Sequence, residues 1–287
     1  MPESPEVQAL AEELDARLAG RTLVEVDVVE FRIAKTRARP LESLIGERTT
    51  GATRHGKLLD LAFGSAGHLV VSLGRHGWAR WAATDGAEGV GATQGAEPPP
   101  PTLATFGFDD GAGLELTDAG NWVSLGASVV DEPSEVAAVA KLGPDPADAG
   151  FSRDDFDAVF GGRRKQVKAV LQEQESLAGI GNAYSDEILH AAKVSPVVHA
   201  SALGADQLDR LFIATLGVVR GAIVDRRGVP IDRLKATKVE AMRVHGRAGE
   251  SCPVCGGTIR DFSFASTTAQ YCPTCQTDGE LLPLKPA

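Results

Sequence analysis

Apolar residues recur at helical spacing near the start of the chain. Val7, Leu10, Leu14 and Leu18 form one stripe, and Gly20 ends it. Ser4-Pro5 just ahead reads as an N-cap and first helical position. Pro2 and Glu3 therefore precede a helix N-terminus, whose dipole favours a carboxylate or an anion. The stripe itself is what any core-packing helix shows. The period then shortens to two: Val24, Val26 and Val28 alternate with Glu25 and Asp27. Short β-rich runs follow at residues 58–63, 68–73, 78–83, 103–108, 114–116 and 122–130, separated by Gly-containing turns. This is an antiparallel sandwich pattern. Residues 86–101 are Gly, Ala and Pro-rich and read as a mobile inserted loop with no assigned function.

From about residue 131 the pattern changes. Residues 141–150 (KLGPDPADAG) read as a hinge. Helical spacing returns at residues 153–160, 165–175, 183–192 and 205–224, followed by a basic loop and a cysteine-rich end. No internal repeat is evident. The fold class is α+β, with an N-terminal helix and antiparallel β-sandwich over 1–131 and a hinge over 132–150. A helical domain over 151–245 and a cysteine module over 246–287 complete it.

At 287 residues the chain is long enough for two cores. No apolar run reaches transmembrane length, and acidic residues sit where a signal peptide would be basic, so a cytoplasmic protein is expected. The net charge of −10 argues mildly against a nucleic-acid binder. Distribution matters more than the total. Basic residues cluster at 32–39, at Arg163-Arg164-Lys165 with Lys168, and across 226–247. These read either as one positive face on an acidic body or as three unrelated solvated surfaces.

Four sets of residues carry candidate chemistry. Cys252, Cys255, Cys272 and Cys275 form two Cys-x2-Cys pairs, suited to one tetrahedral zinc, with an iron–sulfur or vacant site as the alternatives. Four thiolates close the coordination, so such a metal is structural. Residues 177–184 (LAGIGNAY) place Gly179 and Gly181 in a turn between helices. Its backbone N–H groups and Asn182 suit a DNA phosphate, and Lys168 on the preceding helix suits the same backbone. An ordinary Gly turn with an Asn cap gives the same pattern. Lys57 opens a strand after Gly56, where a solvated edge charge is common. Finally, removal of Met1 leaves Pro2 with a secondary amine of α-amino-type pKa, a nucleophile that condenses with a sugar aldehyde carbon to an iminium, and Glu3 beside it offers a carboxylate. Met-Pro starts are also frequent without any such role.

Taken together and in order, MPESPEV, RHGK, KLGPDP, LQEQESLAGIGNAYSDEIL, VHGR and CPVCGG…YCPTCQ resemble the bacterial formamidopyrimidine-DNA glycosylase/endonuclease VIII family along nearly the whole chain. The resemblance implies a helix and β-sandwich, a helix-two-turn-helix domain and a zinc finger with one structural zinc ion. It implies damaged double-stranded DNA as partner, no membrane, a monomer, and association with the bacterial nucleoid. On the matching positions it makes Pro2 the nucleophile, Glu3 the acid/base that opens the sugar, and Lys57 the phosphate contact and proton donor. Lys168, Asn182, Tyr184 and Arg164 become DNA-binding residues.

The chain also departs from that family. Thr267 stands where the zinc-hairpin arginine is expected, with Arg260 as a candidate substitute. Leu73-Gly74-Arg75 replaces the void-filling Leu-Gly-Met. Asp118-Ala119-Gly120-Asn121-Trp122 replaces the stretch whose arginine reads the opposite base. Trp122 and Arg75 are candidates to fill the gap left by a flipped base; a sandwich-core tryptophan is the plain alternative for Trp122. Residues 224–244 look shorter than the loop that covers flipped 8-oxoguanine, and Ser4 replaces the usual Gly or Leu. The leading expectation is a bifunctional DNA glycosylase/AP lyase. The rivals are a damaged-DNA-binding paralogue with little catalysis and a zinc-ribbon transcription factor.

Overall fold

The computed structural model describes residues 1–82, 99–265 and 267–284. Most of the 86–101 segment (86–98) lies outside the described residues. The elements run α1 (Ser4–Leu18), β1 (Leu23–Val28), β2 (Gly51–His55), β3 (Leu58–Ala62), β4 (His68–Ser72), β5 (Gly77–Trp81), β6 (Thr102–Phe108), β7 (Gly113–Asp118) and β8 (Gly126–Val130). They continue with α2 (Ala137–Ala140), α3 (Arg153–Phe160), α4 (Val167–Gln172), α5 (Asn182–Ala192), α6 (Ala205–Arg226), α7 (Leu234–Ala241), β9 (Arg260–Phe264), β10 (Thr267–Tyr271) and α8 (Pro273–Gln276). The fold is mixed α+β, as expected. Two compact units form. One comprises residues 1–2, 7–140 and 228–234, the other residues 3–6, 141–227 and 235–287.

The first unit holds two four-stranded antiparallel sheets, in the orders β1-β6-β7-β5 and β2-β3-β4-β8. Its core draws Leu59, Leu61, Leu69 and Val71 from one sheet and Leu103, Phe106, Leu114 and Leu116 from the other. Val7, Leu10, Leu14 and Leu18 of α1 join the same core at 0–1 % exposure, which is what their spacing dictates. β3 is buried on both faces, which explains its near-continuous apolar run. Its one interruption, Asp60, accepts from His55 Nε2 at 3.1 Å and His68 Nδ1 at 2.9 Å. β2 is not evident in the sequence because it carries no apolar alternation. It exists through its pairing with β3 across Gly56-Lys57, where Gly56 takes φ +57°.

Strand β8 starts at Gly126, not at residue 122. Residues 119–125 instead form a loop gathered by the Asp118 carboxylate. It accepts from the N–H groups of Gly120 (2.8 Å), Ser124 (2.8 Å) and Leu125 (3.2 Å) and from Ser124 Oγ (2.9 Å). Burial alone would raise this carboxyl; the donors overrule it and hold it below the usual range. Ser124 Oγ in turn accepts from the Arg75 and His76 N–H groups, at 2.9 and 3.3 Å. A Cβ on Gly74 (φ +60°) would lie 2.3 Å from the Ser124 carbonyl oxygen, so only glycine fits there.

In the second unit α5 is the central helix, its residues from Ala183 to His190 all buried. Phe156 stacks on Phe160 and meets Phe212 edge-on, in one core with Tyr184, Ile188 and Leu211. The buried acids of α5 anchor segments far downstream in the chain. Glu187 accepts from the N–H groups of Arg243 (3.0 Å), Val244 (2.9 Å) and His245 (2.9 Å). Asp186 accepts from His245 Nδ1 at 2.7 Å and from the Gln270 N–H at 3.2 Å. The hairpin β9–β10 buries Phe262, Phe264, Ala269 and Tyr271 with Ala169 and Val197 packed against them.

Candidate active site and zinc centre

Glu3 is 1 % exposed. Its carboxylate closes the N-terminus of α5: it accepts from the Gly181 N–H, from Ala183 N–H at 3.0 Å and from Tyr184 N–H at 3.4 Å. A carboxylate there satisfies orphan helix donors and meets the positive end of the helix dipole. The turn N–H groups expected to meet a phosphate are therefore already engaged by Glu3. Gly179 makes the approach possible. It takes φ +87°, and its carbonyl accepts from the Ser4 N–H at 2.9 Å. A Cβ on it would sit 2.6 Å from Ser4 Cβ.

Ser4 does not cap α1 with its side chain; its Oγ is buried without a partner. Glu6 reaches back to the Glu3 N–H at 3.1 Å instead, the return half of a capping box. Glu6 also accepts from Tyr184 Oη (2.6 Å), Arg226 Nε (3.0 Å) and Lys238 Nζ (3.0 Å). Lys238 Nζ lies 3.4 Å from Glu3 Oε1 and over the Tyr184 ring at 4.9 Å. Burial works to lower the Lys238 pKa, but the Glu3 and Glu6 carboxylates raise it, so the ammonium stays charged. Burial and the Glu6 charge push the Tyr184 phenol far up, so it remains a donor. Sequence pattern does not single out Glu6, Arg226 or Lys238. Its only signal is an apolar-flanked glutamate in PESPEV, and α7, which carries Lys238, has the pattern of a loop.

Several expected DNA contacts face inward. Lys168 is 0 % exposed, and its Nζ donates to Asp186 Oδ1 (2.5 Å), Ser185 Oγ (2.7 Å) and the Asn182 carbonyl (3.2 Å). Burial lowers its pKa against the pull of Asp186, and its bonds brace the turn from inside the protein. Tyr184 is likewise an internal donor. Asn182 is half-buried, with Nδ2 on the Thr268 carbonyl and Oδ1 accepting from Gln172, both at 3.2 Å. Of the run 163–165, Arg163 and Lys165 both pair with Glu173 at 2.5 Å, and only Arg164 is exposed without a side-chain partner among the described residues. The basic runs 32–39 and 226–247 are also partly neutralised. Arg32 pairs with Glu30, Arg39 with Asp131, and Arg226 with Glu6.

In the first unit Pro2 is buried and Lys57 is half-buried at the β2–β3 turn. Arg75 is exposed. Trp122 is 61 % exposed and meets His76 edge-on at 6.3 Å, so it is not a core aromatic. A Cβ on Gly120 would contact His76 Cδ2 at 2.9 Å and the Trp122 carbonyl oxygen at 3.0 Å, leaving little room for an arginine. Thr267 binds the Phe264 carbonyl with its hydroxyl at 2.8 Å. Arg260 pairs in register with Tyr271, four residues along β9 from Phe264 at the turn. That is about 13 Å at a strand's rise, so Arg260 does not stand in for the missing arginine at the tip.

The four cysteine sulfurs all lie within 4.8 Å of one another, with Cys252–Cys275 at 3.9 Å and Cys255–Cys272 at 3.5 Å. A tetrahedral ion with about 2.3 Å zinc–sulfur bonds needs sulfurs about 3.8 Å apart, so the set fits one zinc ion. Burial pushes the Cys272 and Cys275 thiols up, while the Gly257 N–H and the neighbouring sulfurs pull Cys255 down to about 7. Crowded thiolates of this kind are relieved by a divalent cation. Buried His190, its pKa lowered to about 4 by burial and then by the Arg243 and Lys193 charges, is a neutral imidazole with Nε2 3.2 Å from Cys252 Sγ.

Comparison with known proteins agrees with this architecture. Residues 1–122 match the formamidopyrimidine-DNA glycosylase N-terminal domain, 142–232 the H2TH domain of the same enzyme, and 249–277 the zinc finger found in FPG and IleRS. A formamidopyrimidine-DNA glycosylase of Mycobacterium avium is 33 % identical, covering 96 % of this chain and 98 % of that protein. An uncharacterized formamidopyrimidine-DNA glycosylase-like protein of Mycobacterium tuberculosis is 47 % identical over 49 % of this chain and 88 % of its own length. Lactococcus lactis Fpg in complex with DNA carrying N7-benzyl-Fapy-dG superposes with a TM-score of 0.82 at 25 % identity, over 96 % of this chain and 100 % of that one. The chain belongs to the formamidopyrimidine-DNA glycosylase family, DNA-repair enzymes that act on oxidised bases. No helix among the described residues is long and apolar enough to cross a membrane.

Proposed function

We propose that the protein is a bifunctional DNA glycosylase and AP lyase working through a Schiff base on Pro2. The observation that carries this is the state of Glu3. The residue one peptide bond from Pro2 is a fully buried carboxylate, fixed by three helix N–H donors and an ammonium. Glu3 takes the proton of the attacking Pro2 amine and passes it to the sugar ring oxygen. The nitrogen bonds to C1′, the glycosidic bond breaks, and its electron pair leaves with the base, which takes a proton from water. Ring opening gives the iminium. Loss of the C2′ proton then expels the 3′-phosphate, and water releases the product. Lys57 serves as phosphate contact and proton donor. Arg75, Arg164 and Trp122 are the exposed groups offered to damaged duplex DNA, while Lys168, Asn182 and Tyr184 position the turn. The protein acts as a monomer on the bacterial chromosome, in the cytoplasm.

Tag-free protein, incubated with an abasic-site duplex and borohydride, forms a covalent adduct that peptide mapping locates on the Pro2 nitrogen and that an N-terminal tag abolishes. No adduct, with tight DNA binding retained, would replace this reading with that of a damage-binding paralogue. The neutral Thr267 at the hairpin tip favours that second reading, since it cannot pair with a phosphate.

A further inference from the structure

We propose that Lys238 is a positioning residue for sugar opening, bridging Glu3 and Glu6 so that Glu3 is held both ionised and in one rotamer. This rests on Glu3 being the acid/base of the proposed glycosylase reaction.

The geometry is specific to three side chains. Lys238 Nζ reaches Glu6 Oε2 at 3.0 Å and Glu3 Oε1 at 3.4 Å, and the lysine is only 12 % exposed. The second Glu3 oxygen is taken by the N–H groups of Gly181 and Tyr184. Oε1 has Ala183 N–H on one side and Lys238 on the other, so the ammonium fixes the carboxylate oxygen that the helix holds least. Without it, Glu3 and Glu6 are two buried carboxylates in one cluster, and like charges at short range favour protonation of one of them. Among the groups facing Glu3 are Glu6 on α1, Lys168 on α4, Tyr184 on α5, Arg226 on α6 through Glu6, and Lys238 on α7. Arg226 binds Glu6 through Nε. A protonated Glu3 cannot accept the proton of the attacking amine.

The role separates two activities. Base excision requires Glu3 to open an intact sugar. A preformed abasic site already equilibrates with its open aldehyde, so amine attack there depends less on Glu3.

The test uses full-length, tag-free, zinc-loaded protein. Its substrates are an abasic duplex and duplexes carrying 8-oxoguanine, formamidopyrimidine or an oxidised pyrimidine. On the lesion that the unmodified protein excises fastest, Lys238→Met and Lys238→Gln should lose about 10²-fold in single-turnover excision, the scale of a misplaced catalytic group. The acid limb of the pH profile should move up by about one unit. Borohydride trapping on the abasic duplex should fall at least tenfold less than excision, and Lys238→Arg should return the acid limb towards its original position. Gln keeps a neutral donor one bond closer to the backbone and serves if Met impairs folding. Unshifted acid limbs in both variants would overturn the proposal. So would parallel losses of excision and trapping with a lowered melting temperature, the mark of a structural role. If the unmodified protein neither traps nor excises, the glycosylase reading itself fails and takes this proposal with it.

Discussion

Around Glu3, the buried Glu6, Tyr184 and Arg226 and the half-buried Lys238 form one network in which each carboxylate accepts at least four donors. Around Trp122 the reverse holds. The indole and Arg75 stand exposed, and their loops are gathered from beneath by one carboxylate and one hydroxyl, Asp118 and Ser124. The difference follows from the proposed tasks. A proton-transfer group must keep one charge state and one position, which needs many partners and little water. Groups that meet a variable duplex must present free surface, so only their backbone is fixed.

The comparison breaks first at Glu6. Glu6→Ala leaves Arg226 and Lys238 buried without their shared partner and should cost about 3–5 kcal/mol in urea unfolding. A loss below about 1 kcal/mol would mean that Glu6 is not the hub of the network. Asp118→Ala should cost less, about 2–3 kcal/mol, for several bonds to one charge. Limited proteolysis should then cut within 119–124.

Acid tests the same loop. The folded pKa of Asp118 lies below its unfolded value, as does that of Glu173, held near 2 by Lys165, Ser176 and Arg163. Each therefore contributes stability that is complete above the unfolded carboxyl pKa, near 4, and is lost as pH falls through the folded one. Stability should decline from about pH 4.5 downward, and Asp118→Ala should flatten that decline. His190→Phe should speed zinc loss to a chelator by about tenfold, as removal of a ligand's hydrogen-bond partner does, read by a metal-binding dye. The smallest effect on the fold belongs to Trp122→Ala, within about 0.5 kcal/mol. The same variant should weaken binding to an abasic duplex by about 1–3 kcal/mol, the worth of one aromatic–base stack.

Local pattern carries much of this fold. The α1 stripe, most strand cores, α3 and α5, and the cysteine spacing are legible because each is written within a short stretch. What the pattern misses is long-range. Nothing in QVKAV says that Lys168 will be buried against Asp186. Glu3 meets Gly181 across 178 residues and Lys238 across 235. β2 has no apolar alternation to reveal it, and Trp122 falls beside a real strand whose start only the Asp118 bonds define.

Residues 3–6 fold with elements that lie beyond residue 140, while the rest of α1 packs into the first unit. Ribosomal synthesis delivers these partners in sequence, at about 5–20 residues per second. The first unit can bury Val7, Leu10 and Leu14 long before Gly181 and Lys238 emerge. Lys238 lies 235 residues after Glu3, about 10–50 s at those rates, and until it is made Glu3 lacks its full set of partners. The N-terminal segment is the first part made and among the last finished, so a truncated or unfinished polypeptide carries Pro2 and Glu3 without the N–H groups and the ammonium that hold the Glu3 carboxylate.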